Sequence, residues 1–97
     1  MIVKASKTSS YGIRVGASNT AIHFNKDWQT VELEIDGEFH TFPLSKTFWT
    51  SCPELRGRAL NDWFPRHGLA PWPRGKTPQL ILTPLGANRF RLSIPHD

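Results

Sequence analysis

Between Arg56 and Lys76 the chain sets Arg56, Arg58, Arg66, Arg74 and Lys76 among His67, Trp72 and several prolines. Guanidinium groups grip phosphate oxygens through paired hydrogen bonds, and an indole can stack on a nucleic-acid base. A loop stiffened by Pro71, Pro73 and Pro78 would hold such groups with little ordering cost. The set Arg56, Arg58, Arg66, His67, Trp72, Arg74 and Lys76 is therefore the candidate surface for DNA or RNA. A competing reading makes Trp72 a plug at one end of the core, with the cations only keeping its rim soluble.

Catalytic and metal chemistry find less support. Cys52, the single cysteine, precedes Pro53 at an expected helix start, where a helix dipole would lower a thiol pKa. No histidine stands at a diagnostic spacing from it, so it reads as buried and inert, and the chain as a non-enzyme. His23, His40, His67 and His96 show no metal-ligand spacing. Glu32, Glu34 and Asp36 alternate along one strand face, which reads as a solvated sheet surface rather than a cation site. Walker, dinucleotide-binding and nucleophile-elbow patterns are all missing, and no cofactor is expected.

Charge placement favours a polyanionic partner. In residues 1–44 four Lys/Arg face five Asp/Glu, whereas in residues 45–97 eight face three. Clustered cations attract phosphates and release their counterions. The alternative is that the basic half docks on the acidic half of the same molecule. For Arg89 and Arg91 that alternative is the expectation, through cross-strand pairs with Glu32 and Glu34.

These groups must be positioned by a small scaffold. At 97 residues the chain is read as a single domain over 1–97, with one modest core. No apolar run approaches the ~18 residues of a membrane span, and the start MIVKASKTSS lacks a signal-peptide core. A cytoplasmic protein without a membrane partner is the expectation.

The elements follow from periodicity. Residues 1–10 read as ragged or as an edge strand begun by Ile2 and Val3. Tyr11, Ile13 and Val15 alternate as a strand, Ala17-Ser18-Asn19 reads as a turn, and Ile22 and Phe24 mark a second short strand. TVELEID has one apolar and one acidic face, and Asp36-Gly37 signals a tight type I′ hairpin into EFHTFPL. A two-residue turn pairs Leu33 with His40 and Val31 with Phe42; a three-residue turn would send Phe39 inward instead. Ser45 is the expected N-cap of a helix lasting to about Ser51. A second helix is expected from Pro53 to Phe64, in which either Gly57 breaks the helix or Arg56 has a specific partner. Leu69–Pro78 is a stiff loop, and QLILT and RFRLSI form a final hairpin closed by Pro95.

The result is an α+β fold of about six strands, a small mostly antiparallel sheet or partly closed barrel. One or two short helices lie between strands four and five, so residues 45–78 form a helical and Pro-rich loop insertion. The functional expectation is a non-enzymatic nucleic-acid-binding domain. Its alternative is a protein-interaction module, or small regulatory or inhibitor subunit, anchored by the Leu69–Pro78 loop.

Overall fold

The computed structural model describes residues 1–95. Its elements run β1 (Ile2–Lys7), β2 (Tyr11–Arg14), α1 (Ala17–His23), β3 (Thr30–Ile35), β4 (Glu38–Pro43) and α2 (Lys46–Thr50). They continue with β5 (Glu54–Arg56), α3 (Arg58–Arg66), β6 (Gln79–Gly86) and β7 (Arg89–Ser93). All the strands join one seven-stranded sheet in the order β4-β3-β7-β6-β1-β2-β5. The β3–β7 pair is parallel and every other pair is antiparallel. The sheet curls until its two edge strands nearly meet, giving the expected α+β, partly closed barrel with one strand more than anticipated.

Alternation builds the best-defined part. Val31, Leu33 and Ile35 are buried while Glu32, Glu34 and Asp36 face outward. Asp36 and Gly37 turn the chain with φ of 52° and 86°, the two positive values a type I′ turn requires. The register follows the two-residue turn, Leu33 opposite His40 and Val31 opposite Phe42. The parallel neighbour sets Arg89 beside Glu32 and Arg91 beside Glu34, with ion pairs of 3.1 and 2.9 Å. The acidic and basic strand faces therefore neutralise each other.

Three expectations need correction. Residues 2–7 are neither ragged nor an edge: β1 lies between β6 and β2, with Val3 and Ala5 buried on its inner face. Residues 17–23 are helix rather than a turn and a strand. Thr20 closes the first turn on the Gly16 carbonyl through both its amide and its hydroxyl. The apparent alternation there mixes two environments, because Ile22 is 73% exposed on the helix and Phe24 is buried beyond its end. Finally, the chain after Pro53 is not helical. Glu54–Arg56 pairs with β2 as an edge strand, and only from Arg58 does it become helix.

Gly57 explains that last switch. It sits between β5 and α3 where the sheet closes on itself, and a Cβ there would stand 2.9 Å from the buried Phe42 ring of β4. The glycine thus breaks the expected helix and lets the two sheet edges approach. From Arg58, Leu60, Trp63 and Phe64 fall at helical spacing and are fully buried, and Pro65 sits inside the last turn rather than ending the helix. Burial of each such side chain contributes about 1.5–3 kcal/mol. The Asn61 side chain accepts from the Tyr11 amide at 2.9 Å, fixing α3 against the start of β2.

Candidate functional site

The candidate cations separate into three groups. Arg56 is half-buried and lies back along its own sheet: it donates to the Ser10 carbonyl at 2.8 Å, to Ser6 Oγ at 3.3 Å, and to the Glu54 carboxylate. Its fork is used up by its own chain. Arg66 and His67 both hold Asp36 of the β3–β4 turn, at 3.0 Å each. Arg58 and Arg66 line a cleft of about 610 Å³ shared with three carboxylates, Asp36, Glu38 and Asp62, and with His40. This cleft is mixed in charge and a poor phosphate site.

The third group is different. Trp72, Arg74 and Lys76 lie in the loop between α3 and β6, which runs back beside β1. The Ala5 amide donates to the Pro78 carbonyl at 2.9 Å, and Lys4 lies opposite Gln79. This brings Trp72 and Gly75 into one cleft of about 520 Å³ with Lys4, Lys7 and Arg14, and no carboxylate lines it. Arg74 and Lys76 flank Gly75 and are exposed. Among the described residues, Lys4, Lys7, Arg74 and Lys76 have no ion-pair partner. Arg14 touches Glu54 only once, at 3.3 Å, and is 62% exposed. The Arg14 side chain is therefore largely open to solvent while it makes that one contact.

Trp72 is positioned by aromatic packing. Its ring centroid lies 5.5 Å from Tyr11 and 6.0 Å from Phe64, tilted against both. It therefore packs on the core, as one of the two readings from sequence expected, and lines the cleft as well. Lys7 is held in the same place, its Nζ 5.5 Å from the Tyr11 ring centroid, a cation–π distance. Lys4, Lys7 and Arg14 were not among the residues singled out from sequence. The signal available was weak: three cations far from the loop in sequence, on strands whose pairing had to be known first.

Beneath the cleft, Glu54 organises a polar cluster. Its side chain is only 7% exposed and accepts from Ser6 Oγ at 3.0 Å, from Cys52 Sγ at 3.0 Å, from Arg14 and from Arg56. Burial pushes the Glu54 carboxyl up, but the hydrogen bonds from Cys52 and Ser6 and the Arg56 guanidinium outweigh it and hold the pKa below the usual value. Cys52 is only half-buried, not buried as expected from sequence, and its thiol moves the other way. Its hydrogen bond to Glu54, reinforced by burial and by that negative charge, raises its pKa. The thiol is thus kept protonated at neutral pH, the opposite of nucleophile activation. His23, His40 and His67 share no cluster of three or more potential metal ligands among the described residues, and His96 lies outside them.

No described helix is long and apolar enough to cross a membrane. Compared with known proteins, the chain matches no family model, no curated protein and no solved structure.

Proposed function

We propose that the protein is a non-enzymatic nucleic-acid-binding domain whose contact surface is the cleft between β1 and the Trp72–Lys76 loop. The observation that carries this reading is the cleft lining: Lys4, Lys7 and Arg14 beside an indole, without a carboxylate. Arg74 and Lys76 are exposed on either side of Gly75, which lines the same cleft, and add positive charge near it. Phosphates are held there by charge, and the ring offers a stacking partner. Of the loop and helix residues read from sequence, Trp72, Arg74 and Lys76 belong to this surface. Arg56 is engaged by Glu54, Ser6 and Ser10, Arg66 and His67 hold the Asp36 turn, and Arg58 lines the mixed-charge cleft beside it.

Tryptophan fluorescence, titrated with oligonucleotides at two salt concentrations, tests the reading. Binding that weakens several-fold or more between about 50 and 200 mM salt is expected. Binding indifferent to salt would count against it.

A second reading, a protein-interaction module, draws on a different place. Phe24, Phe48, Trp49 and Pro53 line an apolar cleft of about 310 Å³ beside α1, a helix with no buried residue and with Ile22 exposed. A stoichiometric protein captured in high salt, and lost on Ile22→Glu, would favour it.

A further inference from the structure

We infer that the cleft takes a single strand rather than a duplex, with an unpaired base laid on Trp72 and the neighbouring phosphates on Lys4, Lys7 and Arg14. The inference rests on the nucleic-acid reading above and specifies its substrate.

The first argument is access. Trp72 is partly buried and lines a concavity, packed against Tyr11 and Phe64 on its core side. In a duplex every internal base face is already covered by its stacked neighbours. The outside of a duplex also presents a convex, phosphate-lined surface. Such a ligand would meet the rim cations and leave the indole unused. A single strand can turn one base into the cleft, because unpaired bases unstack at small cost.

The second argument is size and chemistry. At about 520 Å³ the cleft falls within the range of roughly 300–1,000 Å³ typical of sites that enclose a small ligand. Thr77 and Gln79 line it among the cations, giving polar groups within reach of a sugar or base edge.

The third argument is exclusion of the usual duplex-reading device. α3 is the only described helix longer than seven residues, and its exposed cations do not form a basic face. Arg66 is paired with Asp36, and Arg58 shares its cleft with Asp36, Glu38 and Asp62. An acid-lined helix is poorly suited to enter a major groove between two phosphate strands. Lys4 and Lys7 on β1 and Arg74 and Lys76 in the loop, by contrast, have no ion-pair partner among the described residues.

The test compares four labelled ligands of equal length at low salt (single-stranded DNA, single-stranded RNA, a blunt DNA duplex and a hairpin-free abasic strand) and repeats the single strands with Trp72→Phe. The abasic strand keeps every phosphate and removes the bases, so it reads stacking without any change to the core. At least one normal single strand should bind about tenfold more tightly than the duplex, and the abasic strand should lose about fivefold or more. Trp72→Phe should retain part of the difference, and the tighter of DNA and RNA names the source. A duplex bound as well as the single strand, or an abasic strand bound as well as a normal one, would overturn this inference while leaving nucleic-acid binding intact. If none of the ligands binds at low salt, the functional reading itself fails.

Discussion

Arg56 crosses the outer face of β2 directly over Gly12: a Cβ on Gly12 would stand 2.9 Å from Arg56 Cγ and 2.6 Å from the Leu55 carbonyl oxygen. The missing side chain lets β5 lie close to β2, and it leaves room for Arg56 to reach Ser6 and Ser10. A residue that looks from sequence like part of a binding surface is thereby built into the scaffold.

Gly12→Ala should therefore destabilise the fold by about 1–3 kcal/mol, since backbone as well as side chain must shift. Urea denaturation reads this as a lower midpoint. An unchanged midpoint would mean that the β2–β5 pairing yields at no cost.

Acid should weaken the fold through Glu54 and Asp36. Both carboxyls have lowered folded-state pKa values: Glu54 as described, and Asp36 through the His67 hydrogen bond, which outweighs the effect of burial, together with the charges of His67 and Arg66. A carboxyl with a depressed folded pKa contributes stability above its unfolded pKa and loses it as pH falls through the folded one. Unfolding free energy should hold steady from neutrality down to about pH 5 and then fall. Glu54→Gln should lower stability at neutral pH and flatten that acid limb. An identical acid limb in the variant would remove Glu54 from the account.

Cys52 should react slowly. With its thiol donating to Glu54 and its pKa raised, alkylation by iodoacetamide at pH 7.5 should run several-fold slower in the native protein than in the unfolded one. Glu54→Gln should speed the native reaction. Native labelling faster than that of the unfolded chain would reopen a nucleophilic role.

Much of the framework was legible because local rules and packing agreed. The TVELEID alternation, the Asp36-Gly37 turn and the Ser45 cap, whose Oγ accepts from the Phe48 amide at 3.4 Å, each follow from short-range chemistry. The misread segments are those where a distant partner decides. Residues 54–56 become strand because β2 pairs with them, which overrides a proline well suited to start a helix. β1 is easily overlooked because its inward residues include small Ala5, and because its central place depends on β6, far along the chain. The cleft was half legible for the same reason. Its loop side shows in the Trp72–Lys76 sequence, but Lys4, Lys7 and Arg14 join it only through the β1–β2 and β1–β6 pairings.

The most direct measurement is the slope of log affinity against log salt for a single-stranded oligonucleotide, in the wild type and in two double variants. Each phosphate contact contributes about 0.7 to that slope for a single strand. Lys4→Ala with Lys7→Ala should flatten it by about 1.4, whereas Arg58→Ala with Arg66→Ala should leave it unchanged. A slope near zero in the wild type, or one flattened only by the Arg58 and Arg66 changes, would contradict binding in the β1–loop cleft.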